Sequence, residues 1–269
     1  MINLKLKNFL KRVLRPLREI FTNFSLIDEK LANFKLKEDP IDIGANFIVS
    51  EEIQGDYLEF GVFKGSSFVK AYNSITNYTN LWSNFNRTKQ AYSDEESAKK
   101  AFSKISNINR KFYAFDSFEG LPELSEIDKD HPKFTKGRYN FSKKNFIKVL
   151  IENNINLKKV EIIEGFYDSI LNENLKVKLK LNKAAMIMID CDLYESTKDV
   201  LKFITDMVHT GTVIIFDDWY TYKSDTKKGQ QYACREWLKN NTQIKLIDYK
   251  DLGPFQKSFI VNISKSKNI

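Results

Sequence analysis

The sequence predicts an α/β fold, a doubly wound sheet with helices on both faces, and three observations predict it. First, several short runs are buried in character throughout: Phe112-Tyr113-Ala114-Phe115, Met186-Ile187-Met188-Ile189 and Val213-Ile214-Ile215-Phe216. A strand with one wet face alternates apolar and polar residues, so an unbroken run marks a strand covered on both faces. Second, these runs alternate with stretches of helical character and show no internal repeat. Third, they end in acids: Asp116 after the first, Asp190-Cys191-Asp192 after the second, Asp217-Asp218 after the third. Ligands of an open α/β sheet bind beyond the carboxyl ends of its strands, so the chemistry is expected at that edge.

Taken in order, residues 3–24 carry Leu6, Leu10, Val13, Leu17, Ile20 and Phe24 at alternating spacings of four and three, one apolar stripe on a helix. Lys5, Lys11, Arg12, Arg15 and Arg18 occupy the other face, and Pro16 is expected to kink or divide it. This helix has two readings: it packs on protein, either this chain or a second copy in a homo-oligomer, or it seats on an anionic membrane as a peripheral contact. Residues 25–55 read as a connecting arm with Pro40 as a breaker. The strand Tyr57-Leu58-Glu59-Phe60 enters a turn containing Gly61 and Gly65, and a helix is expected over 68–77. Residues 78–110 are rich in Asn, Lys and Ser and read as an insertion, with a short helix after Asp94. Beyond the strand at 112–115, helices are expected over 142–153, 198–207 and 231–238. Strands are expected at 160–163, 184–189, 212–216, 244–247 and 258–263, followed by a frayed tail. The division is thus an amino-terminal helix and arm, residues 1–50, and a single domain, residues 51–269.

Composition removes several function classes. An apolar fraction of 42% argues against disorder, and no apolar stretch is long enough to span a bilayer. The basic residues near the start break up any signal-peptide core, so a cytoplasmic location is expected. Two cysteines make no disulfide framework, and two histidines exclude a histidine-rich metal site. The net charge of +8 admits polyanionic partners, but the lysines are scattered without the arginine–aromatic alternation that grips bases, so no nucleic-acid partner is expected.

The four acids Asp190, Asp192, Asp217 and Asp218, brought to one sheet edge, repel one another unless a cation or protons compensate them. An all-oxygen donor set of this kind suits a hard divalent ion such as Mg²⁺. The glycine turn lets backbone approach a ligand at a helix N-terminus, but it lacks both the G-x-G-x-x-G fingerprint and the G-K-[ST] ending of a phosphate loop. Asp116 sits where an acid would accept bonds from ribose hydroxyls, though much further from Gly61 than the usual ~20 residues. Its alternative is a turn or cap. Asp192 has a similar alternative, capping a helix that starts near Tyr194.

The strings YLEFGVFKGSSF (57–68), FYAFDSFEGLPE (112–123), VEIIEGFYDSI (160–170), MIMIDCDLYEST (186–197), GTVIIFDDWY (211–220) and YACREWL (232–238) resemble, in this order, the macrocin/mycinamicin sugar O-methyltransferase family. The resemblance spans roughly residues 50–240. It implies a Rossmann-like, seven-stranded class I methyltransferase sheet with an antiparallel last strand, preceded by a helical arm often used in assembly. It also implies S-adenosylmethionine as cofactor and dependence on Mg²⁺. Position by position, Glu59, Gly61, Gly65 and Ser66 fall on the turn that holds the methionine part of the cofactor. Asp116 and Ser117 fall on the ribose and adenosine site, and Gly165 and Phe166 near adenine. Asp190, which also borders the cofactor, Asp217 and Asp218 match the metal-binding carboxylates. The insertion at 78–110 and a long link from Tyr220 to Gln231 depart from the family pattern and bear on the acceptor pocket.

Methyl transfer from a sulfonium needs an aligned oxygen nucleophile and a base. Asp190 is the first candidate for ligand and base, Asp192 the second. The expected acceptor is a sugar hydroxyl, in a nucleotide sugar or a surface polysaccharide. The alternative is a catechol-like or specialised-metabolite hydroxyl. A nucleic-acid methyltransferase fits less well, because Asp190-Cys191-Asp192 stands where an Asn/Asp-Pro-Pro-aromatic motif belongs. A nicotinamide oxidoreductase would need a third glycine and a Tyr-x-x-x-Lys pair. His131 is a candidate for a lid over the acceptor, and Trp219, Tyr220 and Tyr222 either stack on a sugar or pack beneath the loop. His209 reads as structural, and Cys191, flanked by acids, as unreactive.

Overall fold

In the computed structural model of this chain the described residues are 39–264, apart from 130 and 253. They fall within one compact unit, residues 38–269. The helix expected over 3–24, with its readings of assembly and membrane contact, lies outside the described residues. So does the chain beyond 264.

Seven strands form one sheet: β1 (Asp56–Phe60), β2 (Phe112–Asp116), β3 (Val160–Glu164), β4 (Ala184–Ile189), β5 (Val213–Phe216), β6 (Ile244–Leu252) and β7 (Gln256–Ile263). Their order is β3-β2-β1-β4-β5-β7-β6. β1 to β5 pair in parallel, while β7 is antiparallel to both β5 and β6. The expected reversed last strand is therefore present. The chain winds outward from β1 in one direction and from β4 in the other, so the crevice between these two strands is the topological switch point.

The unbroken apolar runs have the predicted cause. Successive side chains of a strand point to opposite faces. Tyr57, Phe112, Ala114, Met186, Met188, Val213 and Ile215 enter one core. Leu58, Phe60, Tyr113, Phe115, Ile187, Ile189, Ile214 and Phe216 enter the other. The helices covering these faces are α1 (Pro40–Ser50), α2 (Ser66–Trp82), α3 (Phe85–Ala91), α4 (Glu95–Asn107), α5 (Lys143–Glu152), α6 (Tyr167–Ile170), α7 (Glu173–Leu179), α8 (Tyr194–Ile204) and α9 (Gly229–Asn240).

Several elements differ from expectation. The stretch read as an arm contains α1, and Pro40 opens this helix instead of breaking the chain. The first helical N–H has no intrahelical partner, so proline loses nothing there, and the Asp39 carboxylate accepts from Ile41 N at 2.9 Å. Ile41, Ala45, Ile48 and Val49 bury the inner face of α1. Arg110, only 5% exposed, locks its end by donating to the carbonyls of Ile48, Ile53 and Gly55. The helix after the glycine turn runs through Trp82, and most of the insertion is a helical pair, α3 and α4, with Ala98, Ala101 and Ile105 buried. Finally, α8 starts at Tyr194, as the capping alternative for Asp192 supposed, and not at 198, where the apolar pattern began. No helix among the described residues is long and apolar enough to cross a membrane.

Candidate active site

A cavity of about 400 Å³ lies at the carboxyl ends of β1, β2, β4 and β5. Gly61, Asp116, Ser117, Gly165, Phe166, Asp190, Asp192, Asp217 and Asp218 line it; Glu59, Gly65 and Ser66 do not. The sheet brings together residues separated by more than 150 positions because each directly follows a parallel strand. Among the described residues, every charged side chain lining the cavity is a carboxylate, with Glu123, Asp168, Glu195 and Asp199 joining those expected. Such a field favours cationic occupants.

On the β1–β2 side, Asp116 stitches two turns together. Its Oδ2 accepts from Val62 N at 2.8 Å and Phe63 N at 3.2 Å, and its Oδ1 from Phe118 N at 2.7 Å. A carboxylate has about four acceptor positions, so capacity for a ligand hydroxyl remains. The Ser117 hydroxyl donates to Gly120 O at 2.8 Å, and Gly165 N donates to the Asp116 carbonyl at 3.0 Å. Behind the glycine turn, Glu59 is fully buried. It accepts from Tyr57 Oη and from Ser67 Oγ, the latter at 2.5 Å, and burial pushes its carboxyl up to about 8. Gly65 caps α2 at φ 81°, where a Cβ would stand 2.8 Å from the Phe146 ring. These residues shape the turn from behind.

On the β4–β5 side the acids converge. Oxygens of Asp190, Asp217 and Asp218 lie within 4.8 Å of one another. Asp190 stands against Asp217, and Asp192 against Asp218, and carboxylates this close require a shared proton or a compensating cation. Burial, reinforced by the neighbouring acids, raises the carboxyls of Asp190 and Asp192 well above the ordinary range, and burial raises Asp217 as well. Asp218 is pushed up to about 6, chiefly by burial and then by Asp217. Thr221 Oγ donates to Asp218 Oδ1 at 3.0 Å, but Asp218 Oδ2 is buried without a partner. An orphaned carboxylate oxygen among three acids fits a divalent cation, and the all-oxygen set fits a hard one such as Mg²⁺. Asp190, Asp217 and Asp218 would hold it.

The model of the macrocin-O-methyltransferase (TylF) family matches residues 98–252, more than half of the 269-residue chain. The chain belongs to this family. It is an S-adenosylmethionine-dependent O-methyltransferase. Among solved structures, the O-methyltransferase NovP is similar with a TM-score of 0.58 and 17% identity, covering 84% of this chain and 78% of that one. The calicheamicin methyltransferase CalS11 gives 0.57 and 18%, covering 97% and 94%. TomG of Streptomyces achromogenes, solved in complex with S-adenosylmethionine, gives 0.50 and 10%, covering 84% and 79%. At these identities the likeness is one of fold. No curated protein sequence matches the chain significantly.

Within this TylF-family chain, other side chains near the site take roles that the sequence left open. Asp192 does not cap α8: its φ is 60°, it faces the cavity, and Asp128 caps the helix instead. Trp219 packs on Phe216 and Phe259 at 4.9 Å, and Tyr222 packs on His131 and Phe134, so neither lines the cavity; nor does Tyr220. Aromatic lining comes instead from Phe63, Tyr139, Phe166 and Tyr167. His131 stacks on Phe134 at 4.3 Å and is absent from the lining. His209 bridges the carbonyls of Gln54 and Thr210, a structural role, and burial holds the Cys191 thiol protonated. Gln230 and Gln256 went unnoticed in the sequence, where nothing marks a glutamine as a support. Gln256 Nε2 donates to Asp217 Oδ1, while Gln230 accepts from Asp218 N at 3.0 Å.

Proposed function

We propose that the chain catalyses, in the cytoplasm, Mg²⁺-dependent methyl transfer from S-adenosylmethionine to a sugar hydroxyl, in a nucleotide sugar or a surface-polysaccharide precursor. The observation that carries this reading is the convergence of Asp190, Asp217 and the unpartnered Asp218 Oδ2 on a cavity with an all-carboxylate charged lining.

The cofactor supplies an electrophilic methyl group on a positively charged sulfur, which suits that lining. Gly61, Asp116, Ser117, Gly165 and Phe166 bind and orient it, with Glu59, Gly65 and Ser66 fixing the turn. A sugar hydroxyl is a poor nucleophile near neutral pH; a divalent ion held by Asp190, Asp217 and Asp218 would lower its pKa and help orient it. Asp190 is the first candidate for accepting its proton. Asp192 is the second, because it lines the cavity beside Asp218 and stands outside the ligand group. Phosphates of a nucleotide sugar would be repelled by the lining and must sit at its rim or beside the ion.

Full-length protein incubated with labelled methyl donor, Mg²⁺ and parallel panels of nucleotide sugars and catechols tests the reading. Transfer to a sugar, abolished by chelator and restored by Mg²⁺, is expected. Turnover indifferent to chelator removes the metal assignment, and transfer to catechols alone reassigns the acceptor.

A further inference from the structure

Asp128 lies in the stretch 125–131, and neither the sequence motifs nor the reaction outlined above involve it. It is fully buried, and each of its oxygens is used. Tyr194 N donates to both, at 3.2 and 3.0 Å; Tyr222 Oη donates to Oδ1 at 2.8 Å; Ser125 Oγ donates to Oδ2 at 3.1 Å. One carboxylate thereby joins three segments. The first is the turn Asp190–Leu193, whose helix α8 has an apolar N-cap, Leu193, unable to satisfy the N–H groups of the first turn. The second is the loop that contributes Leu121, Pro122, Glu123 and Tyr139 to the cavity. The third follows Asp217-Asp218, where Tyr222, Lys223 and Ser224 all take left-handed φ values of 57–59°. L-residues avoid such a run, so something must hold it. Tyr222 is held by Asp128 through its hydroxyl and by His131 and Phe134 through its ring.

We infer that Asp128 is a positioning residue for the acceptor side of the cavity, fixing Asp192 and the 121–139 wall through its bonds to Tyr194 and Tyr222. Naming that side the acceptor side rests on the function proposed above. Asp128 is not among the residues that line the cavity, and its effect passes through Asp192 and the wall. The cofactor side, built from Gly61, Asp116 and Gly165, has no bond to it.

The test uses the full chain saturated with S-adenosylhomocysteine, in the variants Asp128→Ala, Asp128→Asn and Tyr222→Phe. Hydrogen exchange is read by peptide, and the affinities for S-adenosylhomocysteine and for Mg²⁺ by calorimetry. In Asp128→Ala, exchange over 190–196 and 120–139 rises about tenfold or more and Mg²⁺ binding weakens several-fold, while S-adenosylhomocysteine affinity stays within about twofold. Asp128→Asn, whose amide oxygen still accepts from Tyr194 N, regains protection over 190–196. Tyr222→Phe loosens 120–139 and 219–226 and leaves 190–196 protected, and it decides the matter with Asp128→Asn if the alanine variant does not fold. Wild-type exchange in these segments, or uniform loosening with cofactor affinity lost in proportion, overturns the inference. Failure of the unaltered protein to bind Mg²⁺ would count against the proposed function alone, because the exchange pattern judges Asp128 without it.

Discussion

Gly61 and Asp190 meet backbone to backbone at the switch point: a Cβ on Gly61 would overlap the Asp190 carbonyl oxygen, and Gly61 itself sits at φ 89°. The close approach lets β1 and β4 deliver the cofactor turn and the first acid of the cluster side by side. Gly61→Ala therefore meets both a backbone clash and a disfavoured φ. We expect it to destabilise the protein by at least about 2 kcal/mol and to abolish cofactor binding. A melting temperature and S-adenosylmethionine affinity like those of the unaltered protein would show that the contact relaxes freely.

Gln230, 1% exposed, spans the two acid-bearing strands. It accepts from Asp218 N at 3.0 Å and donates to Ile189 O at 3.0 Å. Gln230→Leu keeps most of the volume and strands Asp218 N, while Ile189 O keeps its bond from Asp217 N, at a cost of about 1–3 kcal/mol. Because these groups flank Asp190 and Asp218, Mg²⁺ affinity should fall about tenfold or more, as measured by calorimetry. Unchanged affinity with lowered stability would confine Gln230 to the scaffold.

The acid cluster predicts an unusual pH dependence. Asp218 is raised from 3.8 to about 6 in the folded protein, so between these values the native state holds a proton that the unfolded chain has lost. The stability linked to it is complete at the acid end and declines as pH rises through 6. A divalent ion reverses the trend, since it binds the deprotonated acids. The Mg²⁺-induced rise in melting temperature should be larger at about pH 7.5 than at about pH 5, and Asp218→Asn should remove most of it. Equal shifts at both values would contradict the assignment.

Glu59 offers a second titration of the same sign, away from the cavity. Its carboxyl, raised from 4.5 to about 8 mainly by burial, favours the folded state when protonated and opposes it as pH climbs through 8. Glu59→Gln keeps the shape without the charge. Thermal melts should show the variant gaining on the unaltered protein steadily as pH rises from about 4.5 to about 8, with the advantage levelling off above that. A loss of stability exceeding about 2 kcal/mol at neutral pH would mean that Glu59 works as a carboxylate.

How far the site was legible depended on where each residue stood in the chain. Residues that directly follow a buried strand, such as Asp190 and Asp217, were found because an unbroken apolar run fixes both the strand and its end. Pro40 misled because the same residue breaks a helix from within and opens one at its first position; only the Asp39 cap separates the two cases. The cap of α8 is not legible locally, because Asp128 lies 66 residues away. Local capping rules search the preceding residue, which here is Leu193.

The sequence by itself determined the sheet, its two cores and the edge at which acids gather, since period-two burial and strand-terminal carboxylates are properties of neighbours along the chain. The tertiary structure alone decided which of those acids meet, that Asp218 keeps an oxygen without a partner, and that Asp116 and Asp128 bind turns together. The physical reason is that hydrogen bonds and charge repulsion act over a few ångströms of space. Segments far apart in sequence reach that range only when the sheet has folded.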